Sequence, residues 1–264
     1  MNKYILAIVA FFSCSSVATF AQDTNDYFSA TQELEQLIRT DAQKRTMPRL
    51  ENSRVAELIS ILSDSHRFLD SKKYHVKDIE ELIEICGGAN NAVMAYSLFD
   101  LRNRIDPEAP PPLNALQVQK LMGENIATFQ DELKQLQPFV IKCLAKEASL
   151  LPELIESLKP EALTDVRLSG LQQFRAGILG SYYGFIQIAG NSALAESYRA
   201  RVIQALAETA PQLSKVFQPE ARRQIIDLID YINAQPTTPE AFHHYLKVIS
   251  DAMNKATCIA LCDF

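Results

Sequence analysis

The cysteines are the first side chains in this sequence with chemical options. There are five, Cys14, Cys86, Cys143, Cys258 and Cys262, and the last two stand four residues apart in the terminal stretch NKATCIALCDF. A pair at that spacing suggests thiol–disulfide exchange, zinc ligation or a structural disulfide. Exchange motifs use Cys-x-x-Cys at a helix start, where the helix dipole lowers the thiol pKa. Cys258 and Cys262 have a different spacing and follow a helical pattern instead of opening one. Zinc would need His243 or His244 as a co-ligand. His244 lies roughly 21 Å from Cys258 along a continuous helix, at about 1.5 Å per residue, so the two cannot share an ion.

A fastening role is left, with two disulfide arrangements. Alpha-carbons four apart in a helix are about 6 Å from each other, within disulfide range, so Cys258 can bond Cys262 while Cys86 bonds Cys143. Alternatively each terminal cysteine reaches back to Cys86 or Cys143. That closes longer loops, is the more stabilising choice in the chain-entropy model, and is preferred here. Reduced cysteines in apolar packing are the third state. On helical wheels Cys86 shares the apolar face of Ile79, Leu82 and Ile83, whereas Cys143 falls beside Lys146 and Glu147 on a less apolar side. Cys258 and Cys262 project opposite the stripe of Phe242, Tyr245, Leu246, Ile249, Met253, Ala256 and Ala260.

The four histidines are His66, His75, His243 and His244. Glu240-x-x-His243 has the spacing of di-iron helical bundles, but those need a second such pair and two further inward glutamates. The sequence holds no second pair, and Glu240 sits beside Pro239 at a helix start, so neither a metal site nor a cofactor is expected. Gly-x-Ser-x-Gly, His-Glu-x-x-His, phosphate-loop and haem motifs are all missing. Ser181 in GSYYG lies on a helical pattern, and Glu80, Glu81 and Glu84 read as a solvated helix face. No catalytic residue is assigned, and a non-enzymatic protein is the expectation.

Two stretches lack charge. Residues 85–99 carry Gly87-Gly88, read as ending one helix, and Asn90-Asn91, read as capping the next. Residues 176–195 hold four of the eight glycines, with Gly180 and Gly184 in a Gly-x-x-x-Gly spacing. Because a glycine costs about 1 kcal/mol inside a helix, this spacing predicts a tightly packed central helix that another backbone approaches closely. The alternative is a ligand pocket lined by Tyr182, Tyr183 and Phe185. Gln187 and Asn191 argue against membrane insertion.

The elements that position these residues are helices. Apolar residues recur at helical spacing, as at Phe28, Leu34, Leu37 and Ile38 and at Val55, Leu58, Ile59, Leu62 and Leu69. No stretch alternates as a strand does, so the fold class is all-α, a bundle or array of antiparallel helices. Pro48, Pro138, Pro152, Pro160, Pro211, Pro219 and Pro239 read as helix starters, with Thr238 as N-cap and Pro239 as the first residue of the last helix. Residues 106–114 (DPEAPPPLN) read as an extended connection within a single domain spanning 22–264, or as a boundary between an N-terminal helical hairpin and a C-terminal bundle. PELIESLKPEA at 152–162 is echoed by PQLSKVFQPEA at 211–221. Two copies fall short of a solenoid, and local turn chemistry accounts for them.

Residues 1–21 place Lys3 before an apolar run and small residues before Ala21, the layout of a secretory signal peptide cleaved after Ala21. The run is shorter than the roughly 20 residues that span a bilayer, so no transmembrane span is expected in the mature chain. A lipid anchor on Cys14 is the lesser alternative. The 26 Lys and Arg against 32 Asp and Glu give a net charge of −6, which becomes −7 without Lys3. That charge, with no basic run, speaks against nucleic acid as a partner. The chain has no Asn-x-Ser/Thr sequon, which favours a bacterial periplasm over a eukaryotic secretory route. An exported protein that binds a protein partner or joins an envelope assembly is the leading expectation; a small-molecule binding protein or enzyme with a pocket near 176–195 is the other.

Overall fold

The computed structural model describes residues 22–101, 115–158 and 164–259. The signal-peptide segment, Cys14, the proline-rich stretch 106–114, Pro160 and Cys262 lie outside the described residues. Among the described residues there are nine α-helices and no strand. They are α1 (Gln22–Gln43), α2 (Ser53–Leu62), α3 (Ile79–Ser97), α4 (Ala115–Thr128), α5 (Gln130–Ser157), α6 (Asp165–Gly190), α7 (Glu196–Leu213), α8 (Pro219–Asn233) and α9 (Glu240–Lys255). The molecule is all-α.

Helix α5 is the axis of the fold. Its 28 residues reach about 42 Å at 1.5 Å per residue. Leu133, Leu136, Phe139, Val140, Ile141 and Leu151 are buried along it, where α2, α3, α6 and α7 pack against it; α1 lies on α2 and α3, α8 on α6, and α9 on α7 and α8. The buried residues of these helices form one continuous apolar cluster. Helix α7 runs parallel to α5. Gln130 Oε1 accepts from Ala195 N at 2.9 Å, Lys134 Nζ donates to Ser197 Oγ at 3.1 Å, Tyr198 Oη donates to Gln137 Oε1 at 2.5 Å, and Lys142 Nζ lies 3.7 Å from Glu208. Helix α6 returns antiparallel to α7, with Tyr182 Oη donating to Leu206 O at 3.1 Å and Arg199 Nε donating to Ala189 O at 2.8 Å.

Several local expectations are corrected. Gly87-Gly88 does not end a helix, because α3 continues through both to Ser97. A Cβ on Gly88 would stand 2.6 Å from Thr31 Oγ1 and 3.1 Å from Tyr27, so this glycine admits α1 against α3. Pro138 and Pro152 lie inside α5, and Pro211 lies inside α7. Each removes one backbone donor, at a cost of about 3 kcal/mol, and burial of these long helices outweighs it. Pro219 does open α8, but Pro239 is the N-cap of α9, whose first residue is Glu240. Thr238 instead donates its hydroxyl to Ile232 O at 2.5 Å, closing the end of α8.

The end of the chain also differs from the wheel. Helix α9 buries Phe242, Leu246, Ile249 and Met253 but stops at Lys255, so Ala256 and Cys258 are not helical. The segment beyond it is fastened by Ile259 N donating to Lys215 O at 2.9 Å and by Arg222 Nη1 donating to Met253 O and Ala256 O.

Candidate functional site

Cys86 and Cys143 are disulfide-bonded, with S–S 2.19 Å and α-carbons 5.6 Å apart across 57 residues of sequence. Cys258 is also disulfide-bonded. The long-range staples from Cys258 to Cys86 or Cys143 therefore do not form, because α3 and α5 abut and satisfy each other's cysteine first. Cys143 is 2% exposed, not on a polar side, because α5 is covered from both flanks. The bridge ties α1–α3 to the axis of the molecule.

Residues 176–195 do not line the groove described below. Tyr182 is wholly buried, its hydroxyl bonded to Leu206 O and its ring 5.8 Å from that of Phe217. Burial raises its pKa well above the usual phenol value. Phe185 is buried and Tyr183 half-buried. The close approach expected at Gly180 and Gly184 is not present, since a Cβ at either meets nothing within 4 Å. Crowding falls on Gly190 instead, where a Cβ would stand 2.7 Å from Ile232. His243 lies on the surface, its Nδ1 2.5 Å from Asn233 Oδ1 and its Nε2 3.6 Å from Glu240.

A polar groove of about 700 Å³ lies on the α5–α7 seam, lined by fifteen residues from Leu50 to Glu208. Its floor is α5, through Asp131, Glu132, Gln135, Pro138 and Phe139. One wall is the α7 face of Arg201, Gln204 and Glu208, residues one turn apart; the other is Leu50 and Glu51 before α2 with Ser63 and Ser65 after it. The parallel run of α5 and α7 makes this a trough, because equivalent turns of both helices stay side by side.

Glu132 organises one end. It is wholly buried, and its Oε1 accepts from Arg49 Nε at 2.9 Å and from Leu50 N at 3.0 Å. Its Oε2, equally buried, has no hydrogen-bond partner among the described residues. The Arg49 guanidinium also lies 5.2 Å from the centre of the Phe129 ring. Tyr96 donates to Pro48 O at 2.9 Å, and its pKa is raised, first by burial and then by the negative charge of Glu132. The segment from Pro48 to Leu50 is thus clamped onto α5. At the other end Lys142 donates to Ser65 Oγ at 3.1 Å and lies near Asp70 and Glu208. Arg201, between the two ends, is exposed and forms no ion pair among the described residues.

Neither Glu132 nor Arg201 stood out in the sequence. A signal for Glu132 exists: Phe129, Glu132, Leu133, Leu136 and Phe139 follow helical spacing, so the glutamate occupies an apolar stripe. Arg201 gave no signal, because an exposed arginine on an amphipathic helix is ordinary. One further carboxylate on α5 is anomalous. Glu147 is partly buried, at helical spacing from Leu144, Leu150 and Leu151, pairs with no cation among the described residues, and burial pushes its pKa up to about 7. Compared with protein-family models, curated proteins and solved structures, the chain matches none.

Proposed function

We infer that this is an exported, non-enzymatic helical protein that docks a partner protein, in or at the bacterial envelope. The observation that carries the reading is the outer face of α6. Val166, Gly170, Phe174, Gly177, Ser181 and Gly184 fall within an arc of about 80° at 100° per residue. Val166 is 81% exposed and Phe174 is 37% exposed. A Cβ at Gly170 or Gly184 meets nothing within 4 Å. Two apolar side chains flanking small residues over five turns offer a shallow track that an amphipathic partner helix fits closely. Export is supported by the leader layout and by a buried disulfide, which persists in oxidising compartments. Among the described residues no helix is long and apolar enough to cross a membrane.

The test is photo-crosslinking in the native host, with the crosslinking residue placed at Phe174 or, as a control, at Asp251. One protein captured at Phe174 and not at Asp251, and lost in a Val166→Asp/Phe174→Asp variant, supports the reading. Equal capture at both positions overturns it. Non-reducing mass spectrometry of the mature chain tests export separately, through cleavage after Ala21 and intact disulfides.

A further inference from the structure

We propose that the α5–α7 groove binds a small zwitterion carrying an ammonium and a carboxylate, that is, a short unblocked peptide or free amino acid. This goes beyond the partner-docking reading and does not rest on it, since the groove and the α6 face use different residues.

The first ground is the state of Glu132. A buried acceptor without a donor is rare in folded proteins and is destabilising, so Oε2 calls for a donor. Arg49 serves only Oε1 and does not line the groove. Glu51 and Asp131 line the same end, and neither pairs with a cation among the described residues. Three carboxylates with a single fixed cation make that end a site for an ammonium group. Glu51, Asp131 and Gln135, which line that end with Glu132, are exposed and present their polar groups to an incoming ligand.

The second ground is Arg201. The other two cations of the groove are engaged, Lys134 with Ser197 and Lys142 with Ser65, Asp70 and Glu208. Arg201 has neither a hydrogen-bond acceptor nor an acidic partner among the described residues, and its guanidinium suits a carboxylate through two parallel hydrogen bonds. It sits one turn beyond Ser197, between the Glu132 end and the Lys142 end. One buried anionic oxygen and one unpaired cation along a trough is the complement of a zwitterion. The volume of about 700 Å³ falls within the roughly 300–1,000 Å³ of small-molecule sites. From Asp131 to Lys142 the floor extends about 16 Å at 1.5 Å per residue, enough for an extended tripeptide.

The experiment is isothermal titration of the full mature chain with trialanine, N-acetyl-trialanine and trialanine amide, alongside free alanine, with melting temperature as a second readout. Trialanine or alanine binds, each capped form of trialanine binds at least about tenfold more weakly, and Arg201→Ala erases the preference for a free carboxylate while leaving the preference for a free amine. Glu132→Gln erases the amine preference if it folds; Arg201 is exposed, so its variant decides the matter if Glu132→Gln does not. Absence of binding at millimolar ligand overturns the proposal. So does binding that ignores both caps, or that Arg201→Ala leaves unchanged, which would mean that Oε2 is satisfied by water alone.

Discussion

The two ends of α5 carry buried carboxylates in opposite circumstances. Near its start, Glu132 is fully enclosed yet accepts two hydrogen bonds, one from a guanidinium, and thereby anchors the segment before α2. Four turns later, Glu147 is less enclosed but has apolar neighbours and no cation, so its charged form is disfavoured. Degree of burial does not decide what a carboxylate does to the fold; its partners do. The same helix therefore has one acid held by two donors and another whose charged form burial disfavours. Between them lies Cys143, whose disulfide holds α3 against the axis whatever the pH.

The contrast can be broken at four places, taken from the largest expected effect downward. Replacing Cys86 and Cys143 together by alanine lowers stability by about 4 kcal/mol, the chain-entropy value for a loop of this length, read from urea denaturation midpoints. Glu132→Ala costs about 3 kcal/mol, because it removes the acceptor for Arg49 and Leu50 and leaves a void, though half-exposed Arg49 stays partly hydrated. Equal stability of this variant and the parent chain would remove Glu132 as the organiser of the groove.

Glu147→Gln acts in the opposite sense. The folded pKa of about 7 exceeds the ordinary 4.5, so the folded state holds the proton more tightly. Stability therefore falls as pH rises from about 4.5 through 7, and the penalty is complete above that window. At pH 8 the glutamine variant is more stable than the parent by about 2 kcal/mol, and at pH 4 the two are alike. A parent chain with a flat stability profile across that window would show that Glu147 is paired or hydrated after all.

The smallest effects belong to the glycines. Gly88→Ala destabilises by about 1 kcal/mol or more, since Thr31 and Tyr27 must move away from the new methyl group. Gly180→Ala and Gly184→Ala stabilise by about 0.5–1 kcal/mol each, because the space around them is open and alanine is the better helix former. Thermal melting of the three variants side by side reads both signs in one experiment.

Particular residues show where legibility in the sequence stopped. The apolar period at Val55, Leu58, Ile59 and Leu62 marked α2, and all four are buried. Turn residues were less reliable. Gly87-Gly88 resembled a helix end, and Pro138, Pro152 and Pro211 resembled helix starts, because local preference was read without the flanking burial that carries a helix across them. The Gly180–Gly184 spacing correctly marked a helical face with no side chains on it. The close approach of a neighbouring backbone that it also predicted is not there: among the described residues nothing stands within 4 Å of a Cβ at either position. The groove was hidden because its residues are drawn from the segments flanking α2, from α5 and from α7, and no local pattern links them. Only Glu132, a charge on an apolar stripe, left a trace.

What the sequence by itself determined is the class of structure: helical periodicity is a local property, written in every window of a dozen residues, and it required an all-α protein. Cysteine number likewise allowed disulfides without choosing among them. Tertiary structure alone decided that Cys86 meets Cys143, that Gly88 and Gly190 are the crowded glycines, and that Glu132 and Arg201 share a trough. Those outcomes depend on which helix faces abut and in which direction they run. That is set by the summed burial of α5 against its neighbours, a non-local quantity that no single segment of sequence contains.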